Sequence, residues 1–134
     1  MSDATNSGPG YKQHPGHRIT VEPAPSRVRV LLGGETIADS RSALLLREAS
    51  YPPVYYIPIA DIRADAIKPT RHSTYCPFKG DASYWSISAS GKRAENALWA
   101  YQSPYDEVAA IKDHAAFYPS KVDAIEVDGC VMPV

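Results

Sequence analysis

Twelve prolines spread through 134 residues leave little room for long helices, because each proline removes a backbone donor and collides with the preceding helical turn. Between them the apolar residues recur in short runs with a period of two, as in half-buried strands. ITVEP from Ile19, RVRVLL and ETIADS are the first such runs, and Gly33-Gly34 between the last two supplies the positive φ of a tight hairpin turn. ALLLR, Ala43 to Arg47, is a further strand candidate, buried on both faces if its three leucines are extended. YPPVYYIP, Tyr51 to Pro58, reads as an edge or bend that presents Tyr55 and Tyr56 to opposite sides. The mixed segment Ile59 to Thr70 reads as a strand with a turn, closed by Pro69-Thr70. SYWSISA alternates cleanly, and Ser90-Gly91 turns it back into RAENALWAY.

A helix is expected from Ser103. Serine is a good N-cap, Pro104 suits the first helical position, Asp106 and Glu107 complement the positive end of the dipole, and Pro119 stops the run. Val108, Ile111 and Ala115 would share its buried face. Ala124 to Val127 with Asp128-Gly129 forms a last short strand and turn. Residues 1–17 mix Ser, Asn, Gly, Pro and His without apolar periodicity and read as a flexible tail or loosely docked arm, leaving residues 18–134 as a single β-rich domain. The expected class is mainly β, a β-dominated α+β domain of short antiparallel strands with one short helix towards the C-terminus.

Composition narrows the function classes. A net charge of −1 and a pI near 6.4 give no overall basic field, so no broad nucleic-acid binding is expected. The apolar runs are too short for a membrane-spanning helix. Two cysteines, Cys76 and Cys130, are too few for a disulfide scaffold, and the N-terminus lacks the basic and apolar regions of a secretory signal, so a reducing cytoplasm is the expected location. There is no CxxC pair, and His14 and His17 lack further ligands nearby, so no metal site is assigned.

Nine tyrosines and two tryptophans against two phenylalanines make the aromatic content almost wholly of the kind that carries a polar handle. Trp99 and Tyr101 should point the same way and Tyr84 and Trp85 oppositely. Tyr55, Tyr56, Tyr84, Trp85, Trp99, Tyr101, Phe117 and Tyr118 either pack a small core or converge on a cavity with Lys79 and Arg63 at its rim. The densest chemical text is CPFKGD followed by Tyr84-Trp85. If Pro77-Phe78 forms a turn, the Lys79 ammonium stabilises a Cys76 thiolate and makes it a nucleophile, with His72 or His114 as base. Alternatively Cys76 is a small buried hydrophobe, Lys79 belongs to a solvated turn, and His114 completes a helix C-terminus.

PPVYYIPIADI, TYCPFKGDASYWSI and ENALWAYQSPYDEVAAIKDHAAFYP, in that order, resemble the bacterial domain-of-unknown-function family 427 over about Ile19 to Gly129. The resemblance implies a small β-rich domain similar to the β-tent group, which includes methionine sulfoxide reductase B and the ligand-binding domain of cereblon. The reductase likeness would make Cys76 reactive, and the cereblon likeness would build an aromatic cage from Trp85, Trp99 and a tyrosine. The family also carries a nucleotidyltransferase-like label. Of the glycine turn and paired carboxylates that such chemistry needs for two divalent cations, the chain shows Gly33-Gly34 and a lone Asp39.

Three functions follow. The leading one is a small-molecule binding or catalytic pocket with Lys79 as anion contact and Tyr84, Trp85 and Trp99 as walls. The second is a thiol-dependent enzyme using Cys76 with Lys79. The third is an interaction module, for example a homodimer through an edge strand. Neither a cofactor nor the identity of the small molecule is specified by the residues.

Overall fold

The computed structural model describes residues 6–133. Eleven strands follow one another along them: β1 (Ile19–Pro23), β2 (Val28–Leu32), β3 (Glu35–Ser40), β4 (Leu44–Glu48), β5 (Val54–Pro58), β6 (Ile67–Cys76), β7 (Gly80–Ala89), β8 (Lys92–Tyr101), β9 (His114–Phe117), β10 (Ala124–Val127) and β11 (Cys130–Val131). They build a seven-stranded sheet in the order β1-β4-β5-β9-β8-β7-β6 and a four-stranded sheet in the order β11-β10-β2-β3. Every pairing is antiparallel. The β-dominated class expected from the proline spacing and two-residue alternation is the class observed.

Three two-residue hairpins close with positive φ at both central positions: Gly33-Gly34, Ser90-Gly91 and Asp128-Gly129. This is the turn whose twist matches paired strands, which is why the dipeptides could be read directly. Gly33 is also needed for space, since a Cβ there would lie 2.7 Å from the carbonyl oxygen of Ala89.

The main core lies between the sheets. Val28, Val30, Ile37, Ile57, Ile87, Leu98 and Phe117 are among its members, and most have no exposure at all. A second cluster, on the other face of the large sheet, gathers Leu46, Tyr56, Ala82, Tyr84, Tyr101, Val108, Ile111 and Ala116. Among the described residues Ser40, Lys79 and Ser86 are buried polar or charged side chains, and each is partnered. Ser40 Oγ donates to Asp61 Oδ2 at 2.6 Å, Ser86 Oγ accepts from the Asn96 amide at 3.0 Å across a bulge in β7 and β8, and Lys79 pairs with Glu48.

Several expectations need correction. Asp106–Ile111 is a 3₁₀ segment kinked at Val108, whose φ of −125° no helix accommodates, and the residues after it form β9. His114 therefore opens a strand rather than closing a helix, and Ala115 is buried between β5 and β8 instead of lying on a helical face. The segment Tyr51 to Pro58 is not an edge: its β5 lies inside the sheet, between β4 and β9, with its prolines outside or at the end of the ladder. Ile59 to Thr70 is two 3₁₀ turns, Ile59–Asp61 and Ala64–Ala66, leading into β6, and Pro69 falls within that strand at a register break. β6 itself is an edge of the large sheet and is mostly exposed, as its Lys68, Pro69 and Arg71 suit.

Of the two readings of the N-terminal stretch, flexible tail or docked arm, residues 6–17 take the docked form, while residues 1–5 lie outside the described residues. A helical turn at Pro9–Gln13 sits on Phe78: Gly10 donates to the Pro77 carbonyl at 3.0 Å, and a Cβ on Gly10 would lie 2.7 Å from the Phe78 ring. Tyr11 Oη donates to the Phe78 carbonyl at 3.0 Å. The Asn6 and Gly8 amides donate to the carboxylates of Asp106 and Glu107.

Candidate functional site

Tyr56 from β5, Tyr84 from β7, Trp99 and Tyr101 from β8, and Tyr118 just after β9 wall a cavity of about 190 Å³ on the outer face of the large sheet. Leu46, Val54 and Pro52 complete the apolar lining, Tyr51 stands at its exposed side, and Glu48 and Lys79 form its charged end. Strand alternation explains the convergence: Trp99 and Tyr101 are two apart on one strand and share a face, and Tyr84, opposite Trp99 across the β7–β8 ladder, faces the same way.

The rings order one another. Trp99 packs at a tilt of 38° against Tyr118 with centroids 4.4 Å apart and meets Tyr56 edge-on at 6.3 Å. Trp99 Nε1 donates to Tyr56 Oη at 3.3 Å, and the Tyr84 hydroxyl shares a 2.9 Å hydrogen bond with Thr74 Oγ1. Tyr101 is 6% exposed, and its hydroxyl has no hydrogen-bond partner among the described residues. Burial raises the phenols of Tyr56 and Tyr101 far above the ordinary tyrosine value, and burial followed by the hydroxyl of Tyr84 pushes Tyr118 up to about 12. All three are neutral donors at physiological pH.

The charged end is a chain of three side chains. Lys79 Nζ donates to Glu48 Oε1 at 2.5 Å, and His17 Nε2 lies 2.8 Å from Glu48 Oε2. Their exposures are 11%, 16% and 19% respectively for Lys79, Glu48 and His17. Burial is the strongest influence on the Glu48 carboxyl and would raise it, but the hydrogen bonds from Lys79 and His17 together outweigh burial and hold it below the usual carboxylate range.

Lys79 reaches inward because Cys76 to Gly80 is a tight hairpin loop, with the Lys79 amide donating to the Cys76 carbonyl at 3.3 Å. Gly80 has a φ of +118°, and a Cβ there would sit 3.3 Å from the Ser103 carbonyl oxygen, so the loop can lie against the Ser103–Tyr105 segment. The expected Pro-Phe turn is present. Its lysine, however, is engaged by a carboxylate, so a free cation for an anionic ligand is absent from this arrangement.

The structure brings together Tyr56, Lys79, Tyr84, Trp99, Tyr101 and Tyr118 of the residues expected at the site, and places the others elsewhere. Tyr55 and Trp85 pack against the core between the sheets. Arg63 donates to Glu35 and Asp65 on the surface, and these hydrogen bonds raise its guanidinium above the ordinary value. His114 Nδ1 lies 2.7 Å from the Lys112 carbonyl oxygen at the start of β9. Cys76 is half-buried and packs against the second cluster without lining the cavity, and Cys130 is exposed on β11. His72 lies with its ring 4.4 Å from that of Tyr84.

The sequence does not single out Glu48 or Tyr51, and it offers His17 only as a tail histidine without further metal ligands. The one available signal was an acid terminating an apolar strand, in LLLRE, and it does not say what the acid meets. The divalent-cation arrangement implied by a nucleotidyltransferase label does not fit these residues. Gly33-Gly34 is a hairpin turn, Asp39 is tied by two hydrogen bonds to Arg27, and among the described residues no three His, Cys, Asp or Glu side chains cluster as a metal would need. Among those residues, too, no helix is long and apolar enough to cross a membrane.

A comparison with curated proteins found none that matches. The model of the family described as a domain of unknown function (DUF427) matches residues 20–128, which takes in every cavity-lining side chain, and the chain belongs to that family.

Proposed function

We propose that the aromatic cavity binds a small planar molecule without net charge, held by stacking and by one hydrogen bond to Tyr101. The observation that carries this reading is Tyr101, a residue 6% exposed whose hydroxyl has no hydrogen-bond partner among the described residues, in a cavity whose other walls are ordered rings. A ligand polar group that pairs with this hydroxyl gains a hydrogen bond that no protein group among the described residues competes for. The size supports a single ring: an apolar cavity of about 150 Å³ already admits benzene. The preference for a neutral ligand follows from Lys79 and Glu48, which cancel each other's charge at the only ionic end of the lining.

The test is calorimetric titration with phenol, indole and pyridone, paired with benzoate and benzylammonium as charged counterparts. The neutral rings are expected to bind and the ions to bind at least tenfold more weakly. Tyr101→Phe is expected to weaken the hydrogen-bonding rings about fivefold, the worth of one ordinary hydrogen bond. No binding by any neutral ring, or binding indifferent to both Tyr101→Phe and Trp99→Leu, would overturn the reading.

A further inference from the structure

A second cavity, of about 70 Å³, lies on the opposite face of the large sheet, lined by Val28, Val30, Ile57, Phe117, Ile125 and Met132 among others, with almost no polar surface. Val54 and Trp99 line both cavities, although they pack with the outer cluster. A side chain can border cavities on both faces of a sheet only where the sheet is open. The strand pairing shows where that is. β5 meets β9 only at Ile57–Ala115 and Pro58–His114, and beyond them Val54–Tyr56 is paired with β4 alone while the other strand runs out into Tyr118 and Pro119. Backbone pairing between the two strands stops there, and Val54 and Trp99 line both cavities beside that end of the ladder.

We infer that the two cavities are one bipartite site for an amphipathic small molecule: a ring with a polar group in the aromatic cavity, and an unbranched apolar substituent that passes between β5 and β9 to lie among Val28, Val30, Ile125 and Met132. This rests on the ring-binding reading above and adds to it the class of ligand. The inner cavity is almost wholly apolar and shares Val54 and Trp99 with the aromatic one, so the occupant it suits is the tail of the molecule already held outside.

The experiment compares phenol with its para-ethyl, para-butyl and para-hexyl derivatives by calorimetry on the full chain. Affinity is expected to rise about fourfold per methylene, as for transfer of CH₂ from water to an apolar site, and to level off once the inner space is filled. Ile125→Trp, which fills that space from β10, should leave phenol binding intact and abolish the rise with chain length. Met132→Trp does the same from the C-terminal segment and serves if Ile125→Trp fails to fold. Phenol binding with no dependence on chain length, or a dependence untouched by the filling variants, overturns the bipartite site and leaves the ring reading standing. Absence of phenol binding overturns the ring reading, and the bipartite site falls with it.

Discussion

Lys79 and Glu48 come from separate parts of the chain, 31 residues apart, and meet with Nζ 2.5 Å from Oε1 while both side chains are more than four-fifths buried. Glu48 also holds His17 of the docked arm through its second oxygen. One carboxylate thus joins the hairpin loop, the end of β4 and the arm at the rim of the aromatic cavity. The pair is neutral as a unit, yet each half alone is a charge removed from water.

Breaking the pair from one side should cost more than removing both halves. Lys79→Ala is expected to destabilise the fold by about 3 kcal/mol, because Glu48 stays buried with less compensation. Lys79→Met combined with Glu48→Leu should recover most of that loss. Urea denaturation of the three proteins measures both; equal destabilisation by the single and double variants would show that the charges matter less than their packing.

Glu48 also sets an acid limit. Its folded-state value is depressed, so its contribution to stability is complete above the unfolded carboxyl value of about 4.3 and is lost as pH falls through the lower folded value. Stability measured from pH 6 down to pH 3 should fall less steeply in Glu48→Gln than in the parent, once the parent's other carboxylates are common to both. Identical slopes would remove Glu48 from the acid response.

Backbone conformation gives a pair of opposite expectations. Ala49, next to Glu48, has a φ of +47°, which an L-residue with a Cβ adopts at a cost. Ala49→Gly should therefore stabilise the protein by about 1 kcal/mol in thermal denaturation. Gly33→Ala should destabilise by more than 1 kcal/mol, since it meets both the positive φ and the Ala89 carbonyl, whereas Gly91→Ala meets open space and only the conformational cost. A reversed order of the two glycine variants would contradict the close approach at Gly33.

Phe78 is the seat of the arm. His17 stacks on it at 4.0 Å, Tyr11 meets it edge-on at 5.1 Å, and Gly10 packs against its ring. Phe78→Ala should release the segment to residue 17, exposing it to limited proteolysis, and should cost about 2 kcal/mol, below the range for a wholly buried phenylalanine because the ring is half-exposed. Unchanged protection of the arm would mean that its bonds to Asp106 and Glu107 suffice to hold it.

The legible parts of this fold are those decided by neighbours in sequence. Gly33-Gly34, Ser90-Gly91 and Asp128-Gly129 turn by local chemistry, and Trp99 and Tyr101 share a face by local geometry. The misread parts are those decided by distant partners. Ser103-Pro104 carries a helix-start signature, but Val108 and Ile111 are drawn into the second cluster and His114–Phe117 is sandwiched between β5 and β8, where burial on both faces removes the alternation that marks a strand. At the site, five aromatic positions and a lysine could be named from the text, while Glu48 and His17 acquire their roles only when the end of β4 reaches the β6–β7 hairpin.

The four-stranded sheet also dictates a timetable. Its central strand β2 pairs on one side with the adjacent β3 and on the other with β10, so that Val30 lies opposite Ile125. While the chain is being synthesised, the β2–β3 hairpin can close early, but its second ladder must wait until β10, far along the chain, has emerged. The sheet therefore completes late, at the slow rate typical of sheets joined by distant strands. Until then Val28 and Val30 keep an apolar face uncovered, and the nascent protein is most vulnerable to aggregation in the interval before β10 arrives.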